Sequence, residues 1–370
     1  MSFLSERMGL IDASGIRKVF ALAAEMKDPI NLSIGQPDYD VDDEVKAVAI
    51  EAIQSGANAY TQTWGNTDLR EAISGYYERR FGAPLQNAMV TAGVSGGLFL
   101  TLMATVNAGD EVLFADPYFV MYPHLSRLLG GTPVPIDTYP DFKLTPERIE
   151  AAITPRSKIL IVNSPSNPTG VTMSNDELRA IAGVAKKYGL LVISDEIYES
   201  LSYDGAPASM AGMYENTVIL NGLSKSAGMT GWRIGFAAGP EPILQAMNTL
   251  QQYTFVCAPS PAQKAAVKAL EMDMSGKVAD YRTKRDIIYN GLREFLEVTI
   301  PGGAFYIFPR TPWGTGTEFV KEAIANNVLI IPGGVFSGKD THFRISFAAK
   351  NETLERGIEV LRRLAERGPQ

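Results

Sequence analysis

Residues 158–195 read KILIVNSPSNPTGVTMSNDELRAIAGVAKKYGLLVISD. Residues 158–163 and 190–194 are short runs, apolar almost throughout. Runs of that length without alternation are how strands buried on both faces look. A helix lies between them. Ser174 is an N-cap, and Glu177 three residues on gives the spacing of a capping box. Leu178, Ile181, Ala182 and Val184 follow at helical spacing, and Gly189 ends the helix. Strand, helix, strand in that order predicts a right-handed crossover between parallel strands.

Working outward, residues 111–115, 217–221 and 233–238 repeat the strand-like pattern, with amphipathic segments between them. The fold class is therefore α/β, with a mostly parallel central sheet. Beyond residue 275 the pattern changes. A charged helix over 276–298 leads into Gly302-Gly303-Ala304-Phe305-Tyr306-Ile307-Phe308. A strand over 343–347 and a charged helix over 351–367 follow, as in a smaller α+β domain. A short strand at 29–34 would join that domain. The expected division is a large α/β domain over 45–275 and a discontinuous small domain from 1–44 and 276–370.

A chain of 370 residues has room for two or three domains and a sizeable core. Its net charge of −7 and pI near 5.1 give no basic face for nucleic acid and no polybasic patch for a membrane. The single cysteine, Cys257, excludes an intramolecular disulfide and reads as a small buried hydrophobe in a reducing compartment. With one Cys and two His, His124 and His342, no metal site is expected. The first ten residues carry charges where a signal peptide needs an apolar core. No run approaches the roughly 18 apolar residues of a membrane span. The expected location is cytoplasmic.

The candidate chemistry gathers at strand ends. Asp195 closes a buried strand, where open α/β sheets bind ligands. Asn163-Ser164-Pro165-Ser166-Asn167-Pro168-Thr169-Gly170 makes a rigid turn at the same edge. A third strand exit carries Asn221-Gly222-Leu223-Ser224-Lys225, and Gly231-Trp232-Arg233-Ile234-Gly235 follows shortly after. A lone loop lysine is usually solvated. Here the surroundings are small or apolar and Arg233 is near. A desolvated lysine beside positive charge becomes a nucleophilic amine at neutral pH. A serine hydroxyl and an arginine fork suit a phosphate. Thr91-Ala92-Gly93-Val94-Ser95-Gly96-Gly97 precedes an apolar helix, so its free N–H groups can meet an anion. Asp116-Pro117-Tyr118-Phe119 places an aromatic at a strand exit, where it can stack on a planar ring.

Together these segments resemble the pyridoxal-phosphate (PLP) dependent class I/II aminotransferases of fold type I, in the branch with aspartate and broad-specificity aromatic enzymes. The resemblance runs from Ser14-Gly15-Ile16-Arg17 to Phe343-Arg344-Ile345-Ser346, and Ser-Lys followed by Gly-Trp-Arg-Ile-Gly is its most specific motif. It implies that Lys225 forms the Schiff base with PLP and that Asp195 pairs with the pyridine nitrogen. Tyr198 and Asn167 would bond the phenolic oxygen. Ser224, Arg233 and the backbone at Val94 and Ser95 would hold the phosphate. Phe119 would stack on the ring. Arg344 would take the substrate α-carboxylate, with Gly35 leaving room for it. Tyr60 would reach the phosphate of a neighbouring subunit in a homodimer. The implied reaction moves an amino group from an L-amino acid, aspartate or an aromatic or broader set, to a 2-oxo acid such as 2-oxoglutarate.

Two departures stand out. Several relatives have Trp where Phe119 stands, and Phe lacks the indole N–H. The segment 93–97 carries no basic residue, which some relatives use for a distal substrate carboxylate. Arg17 and Lys18 are nearby alternatives for that role, and Trp64 could line a pocket for aromatic substrates. A β-eliminating C–S lyase uses the same lysine and the same electron sink, so the cofactor motifs leave that reaction open. A PLP-binding regulator without turnover is disfavoured, because no DNA-binding module is appended.

Overall fold

The computed structural model describes residues 3–13, 15, 16, 19 and 26–368, so Ser14, Arg17 and Lys18 lie outside the described residues. In chain order the strands are β1 (Ile30–Asn31), β2 (Met89–Ala92), β3 (Glu111–Asp116), β4 (Thr132–Asp137), β5 (Ser157–Asn163), β6 (Leu191–Asp195), β7 (Thr217–Gly222), β8 (Ile234–Ala238), β9 (Tyr306–Ile307), β10 (Val328–Leu329), β11 (Ile331–Pro332) and β12 (Phe343–Ser346). Seven of them form one sheet in the order β2-β8-β7-β6-β5-β3-β4. Strands β4, β3, β5, β6 and β7 pair in parallel. Strand β8 runs antiparallel to both of its neighbours, β7 and β2.

The apolar runs are explained by what covers the sheet. In β5, Ile159 and Ile161 join Val112, Phe114 and Leu220 in one core layer. Leu160 and Val162 join Leu113, Val192 and Ile219 in the other. Both faces are dry, so neither selects polar residues. The helix Asn175–Tyr188 packs between the strands with its capping box formed, and Gly189 at φ 67° ends it. Strand β6 ends one residue later than the periodicity predicts, which makes Asp195 its last residue.

The glycine-rich segment does not precede its helix; it is the helix's first turn, within Gly93–Thr105. Close packing on β8 demands this, because a Cβ on Gly235 would collide with the Gly93 backbone. Arg233 likewise does not open β8. It sits one residue ahead, at φ 56°, after the short turn Thr230–Trp232. That left-handed residue swings the guanidinium back toward the Ala92 carbonyl, 3.4 Å from Nη2.

The remaining strands form a separate layer. Strand β1 pairs in parallel with β10, Ile30 opposite Val328. Strands β11, β12 and β9 form an antiparallel sheet. Ile30, Leu32, Tyr281, Phe305, Ile345 and Leu361 share one buried cluster. The helix starting this region, Ser275–Leu292, is shorter than the expected 276–298. The N–H groups of Phe295 and Leu296 both return to the Leu292 carbonyl, curling the chain so that Leu296 enters the same cluster.

Cys257 is half-buried rather than buried, in the irregular link between helices Glu241–Gln252 and Ser260–Ala269. No helix among the described residues is long and apolar enough to cross a membrane. Among the same residues no group of His, Cys, Asp and Glu could hold a metal ion.

Candidate active site

The C-terminal ends of β5, β6 and β7 open on a cleft of about 540 Å³. Gly35, Val94, Ser95, Phe119, Asn167, Asp195, Tyr198, Ser224, Lys225, Arg233 and Arg344 all line it. The exception among the expected residues is Tyr60, which is 84 % exposed and outside the cleft. Trp64 also stays out. Its ring packs against a core layer with the Arg70 guanidinium 5.3 Å from its centre.

Lys225 lies in the helical turn Leu223–Ser226 after β7. Its Nζ donates to the Gly35 carbonyl at 2.6 Å. Burial, with the charges of Arg344 and Arg233, lowers its pKa to about 8, against the opposing pull of Asp195. The backbone under it is held from the N-terminal side, where the Tyr39 hydroxyl donates to the carbonyls of Lys225 and Ser226.

Asp195 is buried at the end of β6. The Tyr122 hydroxyl donates to its Oδ2 at 2.7 Å, and the Ile197 N–H reaches Oδ1 only at 3.4 Å. Burial pushes its pKa up to about 6, although Tyr122, the Ile197 N–H and Lys225 all favour the ionised form. A buried carboxylate without an ion pair favours a cation placed beside it.

Arg344, on β12, is 1 % exposed and has no carboxylate partner among the described residues. Nη1 donates to Asn167 Oδ1 at 3.0 Å and Nη2 to the Ser33 carbonyl at 2.9 Å. Its Nε has no partner. The guanidinium lies between the rings of Tyr306 and Phe336, 4.4 and 4.8 Å from their centres. Tyr306 also meets the Tyr198 hydroxyl at 3.0 Å. A Cβ on Gly35 would come within 2.8 Å of the Tyr306 hydroxyl, so only glycine keeps this approach open.

At the other end of the cleft the Arg233 guanidinium rests on Gly93, where an added Cβ would meet Nη2 at 2.5 Å. Ser224 and the helix start at Val94 and Ser95 complete a small basic concavity.

These features can be set beside known proteins. A profile described as "Aminotransferase class I and II" matches residues 27–361. The chain belongs to that family. The aspartate aminotransferase of Pyrococcus abyssi is 37 % identical to it, over 98 % of each chain. Aromatic-amino-acid aminotransferase 2 of Thermococcus litoralis is 36 % identical, again over 98 % of each. A solved aspartate aminotransferase from Thermus thermophilus with maleate superposes at a TM-score of 0.93 and 34 % identity, covering 98 % of this chain and 100 % of that one. The protein is therefore a PLP-dependent aminotransferase of the aspartate/aromatic branch, with the fold type I architecture.

The site suits the aminotransferase cofactor on its own terms. A poised amine, an unpaired buried acid and a basic concavity at a helix start lie around one cleft. They match an aldehyde, a cationic ring nitrogen and a phosphate.

Sequence reasoning missed Tyr122, the contact that fixes Asp195. It falls on the buried side of the helix Met121–Leu128, where an aromatic residue reads as core. It also missed the aromatic walls Tyr306 and Phe336 around Arg344. Asn163 reads in the sequence only as part of a turn, yet its Nδ2 donates to the Asp195 carbonyl and its Oδ1 accepts from the Asn167 N–H, both at 2.9 Å. His342 takes no part in the cleft. It stacks on Phe308 and burial lowers its pKa to about 4.

Proposed function

We propose that Lys225 is the cofactor-bearing and proton-moving residue of this aminotransferase, and that Arg344 seats the α-carboxylate of each substrate. The observation that carries the reading is the placement of the Lys225 amine. It is held by one carbonyl, 2.6 Å away, within a cleft where Asp195, Arg233 and Arg344 have no ion-pair partner among the described residues. Ser224, Arg233 and the N–H groups at Val94 and Ser95 would hold the phosphate. Asp195 would face the ring nitrogen, Asn167 and Tyr198 the phenolic oxygen, and Phe119 the ring face. When bound, PLP supplies a carbonyl that carries the amino group and an electron sink that acidifies the donor Cα–H.

The chain's own part is orientation and proton handling. Arg344 offers a planar fork in an apolar setting, so a carboxylate meets two parallel donors and little water. A lysine with a pKa of about 8 reaches half neutral near pH 8, where an ordinary lysine is almost wholly charged. Its Nζ can hold the proton of the donor Cα and return it elsewhere, as general base and then general acid. Asp195, kept anionic by Tyr122, would hold a proton on the ring nitrogen facing it.

The proposed working unit is a cytoplasmic homodimer. An exposed Tyr60 with no place in its own cleft supports it, as does the exposed apolar set Ile50, Ile53, Tyr253 and Phe255. The proposed domain division at residues 45 and 275 is supported by two core clusters, one drawn mainly from residues 45–275 and the other mainly from residues outside that span, with Tyr198, Leu201 and Tyr203 joining the second.

The test is to titrate PLP-loaded protein with single amino acids and no oxo acid. Conversion of the cofactor to its aminated form, with release of one equivalent of 2-oxo acid, is the expected outcome. Ammonia and pyruvate released with the cofactor unchanged would replace this reading by a C–S lyase.

A further inference from the structure

One short stretch of chain touches the reactive lysine twice. The Gly35 carbonyl meets the Lys225 amine and the Tyr39 hydroxyl meets the Lys225 backbone carbonyl, both at 2.6 Å. The stretch is a bridge with two pinned ends. Before it, the Leu32 N–H donates to the Leu329 carbonyl, and the Leu32 carbonyl accepts from the Ser346 N–H. After it, Val41 is buried in the core of the large sheet's outer layer. Between these ends the helix Ser275–Leu292 ties the bridge from the side. Lys277, Tyr281 and Lys284 follow at the spacing that puts side chains on one helix face. The Tyr281 hydroxyl donates to Asp38 Oδ1 at 2.8 Å and accepts from the Asp38 N–H at 3.2 Å. Lys284 Nζ reaches Asp38 Oδ2 at 2.6 Å. Lys277 Nζ lies 4.4 Å from the centre of the Tyr39 ring.

The Asp38 carboxylate thus gives one oxygen to each of two donors, and hydrogen bonds to an ionised group are the strong kind. Lys284 is buried, but it keeps a second carboxylate, Asp280, at 2.7 Å. Removing Asp38 therefore strands no buried charge, and its effect falls on the bridge instead of the helix. The middle of the bridge slackens, where Ile34, Gly35 and Gln36 wall the cleft. Ser33, whose carbonyl orients Arg344, stays pinned beside Leu32.

We propose that Asp38 is a positioning residue for Lys225: held by Tyr281 and Lys284, it keeps the Gly35 carbonyl against the amine and the Tyr39 hydroxyl under the backbone, while Arg344 is oriented separately from the Leu32 end. This deepens the Lys225 reading and rests on it.

The test reads the lysine and the arginine separately. Apoprotein is mixed with PLP across a range of pH, and the rate of capture is followed by the absorbance of lysine-bound cofactor. Capture needs the neutral amine. Burial is the leading cause of the lowered Lys225 pKa, with Arg344 and Arg233 lowering it further and Asp195 opposing them. No substitution below alters those charges. A slackened bridge admits water, so the midpoint in Asp38→Ala should move up from about 8 toward the ordinary lysine value. Losing the Gly35 carbonyl acts the other way, but burial is the leading influence. At neutral pH capture should slow by roughly three- to tenfold. Asp38→Asn, which keeps an acceptor for Tyr281, should recover part of the loss. Lys284→Met cuts the same tie from the helix side and should move the midpoint in the same direction, and the double variant should go little further than the larger single change. The PLP-loaded variants are then titrated by calorimetry with hydrocinnamate, a carboxylate that lacks the amine. Its affinity should stay within about twofold of the parent. An unmoved midpoint in both Asp38→Ala and Lys284→Met would overturn the role of Asp38. So would an equal loss of carboxylate affinity, which marks a general loosening of the fold. Parent apoprotein that forms no lysine-bound absorbance, or Lys225→Ala protein that still forms it, would sink the Lys225 reading itself and the proposal with it.

Discussion

Asp195 and Glu196 are adjacent, both buried, and both pushed up in pKa by burial, to about 6 and about 7. Their surroundings differ completely. Glu196 does not line the cleft, and Ser194, Ser209, Tyr77 and the Met210 N–H all donate to it within 3.0 Å. Its neighbour Glu199 is likewise closed off, by Tyr76 and by an ion pair with Arg80 at 2.6 Å. Asp195 has one short donor and an open side facing the cleft. A raised pKa is common to both regions, so it cannot by itself mark the working one. What distinguishes the two is whether the protein has already met the group's hydrogen-bonding needs. Buried polar groups that are fully met specify structure; those left open await a ligand.

The comparison can be broken by experiment. The largest effect belongs to the open side. Lys225→Ala should lower turnover by about a thousandfold or more and remove the absorbance of lysine-bound cofactor. A variant keeping both would end the assignment.

Asp195→Asn should come next, with turnover down on the order of a hundredfold or more and thermal stability little changed, because a strained buried charge is removed. Melting curves and steady-state rates read the two parts separately. A large loss of stability with normal turnover would reverse the contrast.

Tyr122→Phe should act through Asp195 alone. Removing a donor that favours the ionised carboxylate moves the Asp195 pKa up from about 6. Cofactor affinity needs that carboxylate charged, so it is lost as pH falls through the folded pKa. In the variant the loss should set in at higher pH. Measuring PLP affinity of the apoprotein against pH gives the displacement between the two curves. The cofactor's own phosphate titrates alike in both, so only the displacement counts. Superimposable curves would remove Tyr122 from the account.

The smallest effect on rate belongs to the closed side. Glu196→Gln should leave turnover within a few-fold and cost about 1–3 kcal/mol of stability, since amide hydrogens would face the donors of Ser209 and Met210. Loss of turnover without loss of stability would show that Glu196 reaches the chemistry.

Much of this was legible in the sequence, for identifiable reasons. Strands β5, β6 and β7 are dry on both faces, so their apolar runs are unbroken and their ends can be read to within a residue. The helix Asn175–Tyr188 advertises both its start and its stop in local residues, Ser174, Glu177 and Gly189. The cleft residues sit at strand exits, which is why short motifs found them. What stayed hidden depends on long-range contacts. Tyr122 is 73 positions from Asp195, and nothing nearby marks it as other than core. The left-handed turn at Arg233 and the helical start at Gly93 follow from how two strands of the sheet approach each other. Neither is written in local propensity. Tyr60 is exposed in a single chain, and the resemblance alone gave it a role.

The contacts from residues 33–39 bear on where the protein could be cut. Shortened to begin at residue 43, the chain would keep every motif at the ends of β5, β6 and β7, and also the helix start at Gly93. It would lose the Gly35 carbonyl under the Lys225 amine and the Tyr39 hydroxyl beneath the Lys225 backbone. It would also lose the Ser33 carbonyl that orients Arg344. Such a fragment would display the full cofactor signature while its lysine and its arginine were no longer aimed.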